Sequence, residues 1–154
     1  MEKTNVMRLL EQKKIPYVAH TYEPDASKTG EEIASLLNEN ADYVFKTLVA
    51  QGKSGAYYVF VIPVTAELDL KKAAAASGEK FISMIKQKDL LPLTGYVHGG
   101  CSPIGMKMQF PTFFHETASG YGKIYFSAGK VGFQVEVSPE DISKIIRHDT
   151  ADLI

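Results

Sequence analysis

The sequence is poor in features that mark several classes of protein. A single cysteine, Cys101, excludes an internal disulfide and any metal site built from several cysteines. No apolar run approaches the roughly 20 residues that a membrane-spanning helix requires. The N-terminal segment also lacks the apolar stretch and small-residue cleavage site of a secretory signal. These absences predict a soluble, cytoplasmic protein with no membrane partner.

Charge of one sign is not in excess either. Seventeen lysines and arginines stand against 18 aspartates and glutamates, which leaves a net charge of −1. Such a chain has no global basic field that would hold a nucleic-acid backbone, so DNA is not an expected partner. Local contacts to phosphate groups could come from Lys71, Lys72, Lys86, Lys88 and Lys107. Such lysines are, however, more often ordinary solvated surface. RNA binding would need a local patch or a partner's help.

Histidine is scarce, and its spacing does not indicate a metal site. The four histidines are His20, His98, His115 and His148. They lack both the i, i+4 arrangement on a helix and the His-x-His pattern that are typical of metal ligands. We therefore expect neither a metal nor another cofactor.

Length and patterning predict a globular α+β fold. At 154 residues the chain is long enough for one domain, spanning 1–154, and too short for two of ordinary size. Apolar runs at 43–50 and 56–64, separated by a glycine-containing link, predict a central β-hairpin. A second hairpin is predicted at 123–127 and 132–137. Further strands are expected at 16–22, 81–85 and 108–115.

Helical signals fall between these strands. Thr4 could cap a first helix, and the sequence Thr29-Gly30-Glu31-Glu32 has the form of a capping box for a second helix, which ends near Asn40. Three further helical segments are expected at 68–77, 86–91 and 138–147, the last of them capped by Ser138. Adjacent hairpins with interspersed helices predict a mixed, mostly antiparallel β-sheet, curled or barrel-like, flanked by helices.

Lys46 is the first residue that does not fit a plain structural pattern. Strand alternation places it on the same face as Val44 and Leu48, and both faces of this strand are at least half apolar. A lysine there must extend its ammonium to solvent or point it into a cavity that holds an anionic partner. The strand pattern alone favours a solvated edge lysine, and the functional alternative stays open.

The segment from Gly95 to Gly105 is the second anomaly, because it is too punctuated for a regular element and too apolar for a solvent loop. Gly99 and Gly100 free the backbone for unusual dihedral angles, and Pro103 stiffens the exit. Consecutive amides there could converge on an anion, such as the oxyanion that develops when an ester carbonyl is attacked. Two adjacent glycines are, however, more often simply a turn.

Cys101 suggests a cysteine nucleophile, with His98 or His115 as its base. The alternative is a small buried hydrophobic residue, which is the more usual role of a lone cysteine. Because no pattern in the sequence brings a histidine next to the thiol, the nucleophile hypothesis is disfavoured.

Several motifs occur along the chain in a characteristic order. They are His20-Thr21-Tyr22, Phe45-Lys46-Thr47-Leu48, Leu68-Asp69-Leu70-Lys71-Lys72-Ala73-Ala74, Thr94-Gly95-Tyr96, Gly99-Gly100-Cys101-Ser102-Pro103-Ile104-Gly105 and Ile124-Tyr125-Phe126-Ser127-Ala128-Gly129-Lys130. In this order and separation they resemble the YbaK family of free-standing deacylases and the related editing domains of prolyl-tRNA synthetases. The resemblance covers nearly the whole chain.

The resemblance implies hydrolysis of the ester that joins a wrong amino acid to the terminal adenosine of tRNA(Pro), with cysteine as the usual target. It implies an acceptor-end partner, tRNA(Pro), and help from prolyl-tRNA synthetase, whose errors the enzyme would correct in trans. In that family the substrate's own thiol is thought to attack its carbonyl, and the ribose hydroxyl leaves. The enzyme then needs to supply only positioning and oxyanion stabilisation.

The same resemblance implies roles for particular residues. Lys46 would bind the terminal nucleotide or the aminoacyl group, and the backbone amides of Gly99, Gly100, Cys101 and Ser102 would line the carbonyl. The residues expected to bind substrate or shape its pocket are Tyr22, Thr47, Ser102, Pro103, Ser127 and Gln134. Thr29 stands where relatives carry an aromatic residue, and Ser127-Ala128-Gly129 replaces a Ser-Gly-Gly turn, so the selected amino acid stays open.

Three alternatives to a Cys-tRNA(Pro) deacylase remain at this point. One is the same reaction on another amino acid, such as Ala-tRNA(Pro), because a thiol is a small difference for a pocket to detect. Another is a non-catalytic module that binds charged tRNA or a synthetase. The last is a regulatory or interaction domain on a borrowed fold.

Overall fold

The computed structural model describes residues 2–154, and none of the helices in that range is long and apolar enough to cross a membrane. The α-helices are α1 (Asn5–Gln12), α2 (Gly30–Leu36), α3 (Leu70–Ser77) and α4 (Gln87–Thr94). The strands are β1 (Val18–Thr21), β2 (Phe45–Gly52), β3 (Tyr57–Pro63), β4 (Ile82–Met84), β5 (Thr112–His115), β6 (Ile124–Ser127), β7 (Phe133–Val137) and β8 (Asp149–Ala151). Short 3₁₀ helices occupy Ala41–Tyr43, Glu116–Gly120 and Pro139–Lys144.

Two of the three predicted helix caps are confirmed. The Thr4 hydroxyl accepts a hydrogen bond from the Met7 amide at 3.3 Å, at the start of α1. At α2 the Thr29 hydroxyl accepts from the Glu32 amide at 3.1 Å, and the Glu32 carboxylate accepts in return from the Thr29 amide at 3.0 Å. This reciprocal capping box fixes where α2 begins.

The strands form two sheets with the orders β4-β2-β3-β5-β8 and β1-β7-β6. The hairpins β2–β3 and β6–β7 are antiparallel, as predicted, and β1 and β4 also pair antiparallel with their neighbours. The β3–β5 and β5–β8 pairs are parallel. A parallel bridge between Val44 and Tyr125 links the two sheets. The α+β class with a mixed, mostly antiparallel sheet is therefore confirmed, and the sheets remain open rather than closing into a barrel.

Strand β2 is covered on both faces, as its apolar pattern predicts. Phe45 and Val49 belong to the main core, which also contains Phe126 of β6. Ala50 packs on the opposite side in a second core with Ala73 of α3. Because both faces of the strand are packed, each polar side chain on β2 needs a specific partner or a cavity.

Two predicted helices are shorter than expected. Helix α2 ends at Leu36 rather than near Asn40, because Asn38 adopts a left-handed φ of 56° and the Glu39 amide donates back to the Ala34 carbonyl at 2.8 Å. The final segment forms a 3₁₀ helix over Pro139–Lys144 instead of an α-helix through residue 147. Its predicted cap residue, Ser138, makes no side-chain capping bond.

Two strand predictions also need correction. Strand β5 begins at Thr112 rather than at 108, and Met108 is 62% exposed. Strand β8 was not predicted, because three residues are too few to show a period-2 pattern. Its parallel pairing with β5 places the C-terminal segment against the sheet.

That C-terminal segment is held by a buried histidine. His115 is 4% exposed, and its Nδ1 accepts a hydrogen bond from the Leu153 amide at 3.1 Å. Only an unprotonated Nδ1 can accept. Burial holds the pKa of His115 below its usual value, while the nearby carboxylates of Asp152 and Glu116 oppose that shift.

We expect stability to fall as the pH drops below the pKa of an unfolded histidine, which is about 6.5. The unfolded chain then binds a proton more readily than the folded chain, and the loss is complete once the pH passes the lower folded pKa. Urea unfolding between about pH 7 and pH 5 would measure this, with His115→Gln expected to flatten the dependence. The exposed His98→Gln is the matched control, and equal flattening by both variants would contradict the assignment.

Candidate active site

A cavity of about 420 Å³ brings together segments that are distant in the sequence. Most of its lining comes from the first residues of β2, the start of α2 with the residues before it, the glycine-rich loop, and the β6–β7 hairpin. The lining residues include Tyr22, Lys28, Gly30, Lys46, Thr47, Glu67, His98, Gly99, Cys101, Phe126, Ser127, Phe133 and Gln134. A smaller cavity of about 190 Å³, beside the 3₁₀ helix over Pro139–Lys144, contains none of the predicted site residues.

Most of the predicted site residues line the larger cavity. Those that do are Tyr22, Lys46, Thr47, Gly99, Cys101, Ser127 and Gln134. Gly100, Ser102 and Pro103 do not belong to the lining. The placement brings the first group together in space, and their chemical roles stay predictions.

Gly100, Ser102 and Pro103 lie behind the lining rather than in it, which corrects the expected arrangement. The Gly100 amide donates to the Val97 carbonyl at 3.0 Å, so it closes a turn and is not free for a ligand. Ser102 and Pro103 are buried, and the Ser102 hydroxyl accepts from the Ile104 amide at 3.3 Å. These residues shape the loop from within.

Three other amides of this loop have no backbone acceptor. Gly99 has a φ of +86°, a left-handed conformation that glycine adopts without strain. The amides of Gly99, Cys101 and Ser102 donate to no backbone acceptor within residues 2–154. Amides of this kind are the donors that stabilise an anion in a backbone nest.

Lys46 presents its ammonium to the cavity with little competition. Its side chain is 31% exposed, and its Nζ lies 4.0 Å from Glu67 Oε1. The Glu67 side chain is 98% exposed, so solvent screens this contact and the pair is weak. The Lys46 ammonium is therefore free to bind an anionic group or an oxyanion.

Two polar atoms next to the cavity lack any hydrogen-bond partner among the described residues. They are Thr47 Oγ1 and Gln134 Oε1, and Gln134 is only 4% exposed. A buried polar atom without a partner costs stability, so such atoms at a cavity indicate where a ligand completes the hydrogen bonding.

Tyr22 and Ser127 have supporting positions. The Tyr22 amide donates to the Gly132 carbonyl at 2.9 Å, which ties the end of β1 to the turn between β6 and β7. The Ser127 hydroxyl accepts from the Gly129 amide at 3.1 Å within the same turn. Burial raises the pKa of the Tyr22 phenol, so it stays protonated and can donate a hydrogen bond.

Cys101 lines the cavity as a thiol rather than a thiolate. Burial raises its pKa to about 12, and no charged neighbour offsets that cause. The thiolate is the nucleophilic form, so the site holds no activated cysteine at neutral pH. Within residues 2–154, no cluster of three or more His, Cys, Asp or Glu side chains could hold a metal ion.

Several lining residues were not found from the sequence. The segment 26–31, Leu90 and the aromatic rings of Phe126 and Phe133 enter the cavity through tertiary packing. The one signal for the 26–31 segment was Thr29, but its hydroxyl is occupied in the capping box of α2.

Comparison with known proteins identifies the class of this site. A family model of the aminoacyl-tRNA editing domain matches residues 23–145. A protein of Enterococcus faecalis, provisionally named Cys-tRNA(Pro)/Cys-tRNA(Cys) deacylase EbsC, is 45% identical over 153 residues, which cover 99% of this chain and 93% of that protein.

Solved structures with lower identity share the fold. A provisionally assigned trans-editing enzyme for prolyl-tRNA synthetase matches with a TM-score of 0.81 at 23% identity, covering 99% of this chain and 98% of its own. The hypothetical protein APE2540 matches with a TM-score of 0.84 at 20% identity, covering 96% of this chain and 99% of its own.

The fold and the family match together define an enzyme that edits charged tRNA. The chain belongs to the aminoacyl-tRNA editing domain family, which confirms its resemblance to the YbaK proteins. It is an aminoacyl-tRNA deacylase, and tRNA is its macromolecular substrate.

The state of Cys101 can be tested by alkylation. We expect iodoacetamide to react slowly with the folded protein, with a rate that rises without a plateau between about pH 7 and pH 10, because the pKa is about 12. The chain unfolded in urea is the control and should titrate near about pH 8.5. A plateau below about pH 8 in the folded protein would show an activated thiolate instead.

Proposed function

We propose that this deacylase hydrolyses Cys-tRNA(Pro) in trans, with the cysteine thiol of the substrate as the nucleophile. The single observation that carries the proposal is a cavity with a free ammonium, that of Lys46, and unpaired backbone amides, but with no activated nucleophile of its own. The provisional name of the Enterococcus faecalis relative supports cysteine as the amino acid removed.

The elements of this site fit a reaction in which the enzyme stabilises charge. The substrate thiol gives up its proton, and its sulfur attacks the ester carbonyl to form a tetrahedral oxyanion. The amides of Gly99 and Cys101, together with the Lys46 ammonium, would stabilise that oxyanion. When the intermediate collapses, the carbon–oxygen bond to ribose breaks, the ribose oxygen takes up a proton, and a cyclic thioester remains for water to hydrolyse.

The tRNA partner follows from the same family, and its identity as tRNA(Pro) is part of the proposal. With a net charge of −1 the protein has no global field to hold a tRNA backbone, so we expect weak affinity for tRNA alone. Prolyl-tRNA synthetase, which holds the mischarged tRNA at the moment of error, would supply the missing affinity.

The relative's name also includes Cys-tRNA(Cys), which makes that molecule a second candidate substrate. The cavity, at about 420 Å³, encloses the aminoacyl end rather than the body of a tRNA, so selection between the two tRNAs would come from outside it. Ala-tRNA(Pro) belongs in the same comparison because a pocket discriminates weakly against a smaller side chain.

The Lys46→Ala variant should lower kcat/KM for Cys-tRNA(Pro) by about 100-fold or more, because an oxyanion donor is removed. Release of labelled cysteine measures the rate, and Ala-tRNA(Pro) and Cys-tRNA(Cys) set the specificity. Lys53→Ala is the matched control, since Lys53 is exposed in the turn between β2 and β3. Equal rates for the two variants would show that Lys46 has no role in the reaction. If no amino acid were released from any of the three substrates, the proposed substrates would be wrong.

Ser-tRNA(Pro) should react at least about 100-fold more slowly than Cys-tRNA(Pro), because a hydroxyl is a far weaker nucleophile than a thiol. Both esters are compared with wild-type enzyme, and their spontaneous deacylation without enzyme provides the baseline. If the enzyme accelerated both reactions equally, water rather than the substrate thiol would be the nucleophile.

A further inference from the structure

His98 differs from the other three histidines because its ring makes no hydrogen bond to any group within residues 2–154. The other three rings each lie within hydrogen-bond distance of a protein group, at 2.8 Å for His20, 3.1 Å for His115 and 3.4 Å for His148. The His98 residue is exposed, and it lines the active-site cavity. Both nitrogens of this ring are therefore available to a ligand that enters the cavity.

The backbone holds His98 at the tip of the glycine-rich loop. The Gly100 amide donates to the Val97 carbonyl at 3.0 Å, which closes a β-turn with His98 and Gly99 at its two central positions. Gly99 has a φ of +86°, the positive value that the second central position of a type II turn requires. A Cβ added to Gly99 would lie 3.6 Å from Ala26 Cα, so the turn packs against the segment before α2. The imidazole is therefore carried by a fixed turn.

This turn brings two different chemical groups to one wall of the cavity. The Gly99 amide, which has no backbone acceptor within residues 2–154, is a candidate donor to an oxyanion. The imidazole belongs to the preceding residue, so the ring and this amide are only a few covalent bonds apart. Both groups can therefore contact the same ester group of a bound substrate.

The proposed reaction needs a group that first accepts a proton and then donates it. A free thiol is mostly protonated at neutral pH, whereas the thiolate is the nucleophile. The ribose oxygen must in turn take up a proton as it leaves. One side chain can perform both transfers if its proton affinity is matched to the working pH.

The other titratable side chains of the cavity are unsuited to this task. They are Tyr22, Lys28, Glu31, Lys46, Glu67 and Cys101. Burial raises the pKa of Tyr22, and it raises the pKa of Cys101 to about 12, so both side chains keep their protons at neutral pH. A lysine ammonium cannot accept a proton, and an exposed carboxylate is a weak base at neutral pH. Histidine is the side chain that both accepts and donates a proton readily in this range.

We propose that His98 is the general base and then the general acid of the deacylation. A ring nitrogen of His98 accepts the proton of the substrate thiol while the sulfur attacks the ester carbonyl and the carbon–sulfur bond forms. The resulting imidazolium donates that proton to the ribose oxygen when the carbon–oxygen bond breaks. The ring thus returns to its starting state, and the step needs no further reactant. This inference rests on the proposed function, and it adds the group that moves the proton.

The first test replaces His98 with a side chain that cannot transfer a proton. His98→Gln retains a donor and an acceptor of hydrogen bonds. We expect this variant to lower kcat/KM for Cys-tRNA(Pro) by about 100-fold or more, the usual contribution of a general acid–base group. Val97→Ala is the matched control, because Val97 belongs to the same turn, is 49% exposed and lies outside the cavity lining. Circular dichroism verifies that each variant is folded.

Added imidazole distinguishes proton transfer from a structural role. His98→Ala removes the ring at an exposed position, where a small molecule can take its place. Imidazole in solution should raise the rate of cysteine release by this variant by about tenfold or more, with saturation as the imidazole concentration rises. 1,2,4-Triazole, a ring of similar size and much lower basicity, should raise the rate far less. The same additions to Lys46→Ala, and to the substrate without enzyme, provide the baseline.

The outcomes separate this inference from the function on which it rests. A kcat/KM for His98→Gln within about twofold of wild type would overturn the role of His98 and leave the deacylase intact. A loss in His98→Ala that imidazole does not restore above the baseline would have the same meaning. Inactivity of the wild type on Cys-tRNA(Pro), Ala-tRNA(Pro) and Cys-tRNA(Cys) would overturn the proposed substrates and this inference together.

Discussion

The antiparallel pairing of β2 with β3 is the interaction on which the rest of the structure depends. Through β3 it anchors the five-stranded sheet, and through the bridge between Val44 and Tyr125 it reaches the three-stranded sheet. Because apolar residues pack on both faces of β2, the first residues of the strand are held rigidly. Lys46 and Thr47 therefore enter the cavity from a fixed backbone rather than from a mobile loop.

The site offers a cation and hydrogen-bond donors for the reaction, and no activated nucleophile. Its one thiol is held protonated, its positive charge is weakly paired, and the amides of Gly99 and Cys101 in the glycine-rich loop lack backbone acceptors. Such a site suits a substrate that carries its own nucleophile, because preorganised donors stabilise the developing charge without rearranging. Under the proposed mechanism the enzyme would gain selectivity from the chemistry itself, since an ester without the nucleophile would not be cleaved.

Local patterns predicted most of the fold and part of the site. The hairpin at 43–64 and the caps of α1 and α2 followed from alternation and capping chemistry, which act over a few residues. The strand pattern singled out Lys46 but alone favoured a solvated edge lysine, and its predicted role came from the family resemblance. The place of Gly100 behind the cavity could not be found this way, because it depends on Lys130 and Val131, roughly 30 residues away in the sequence. Strand β8 was not predicted because it is too short to show a period-2 pattern.

The two adjacent glycines of the loop are constrained for unrelated reasons. At Gly99 an added Cβ would meet Val131 Cγ2 at an ordinary 3.5 Å, so only the left-handed backbone excludes other residues. At Gly100 an added Cβ would lie 3.0 Å from the Val131 amide nitrogen and 3.2 Å from the Lys130 carbonyl carbon, so a side chain there would require the neighbouring backbone to shift by a few tenths of an ångström. A D-alanine would suit the left-handed backbone at Gly99, but it would not relieve the crowding at Gly100. A change elsewhere in the protein that relieved one of these constraints would not relieve the other. Replacement of both glycines during evolution would therefore require two independent changes in their surroundings.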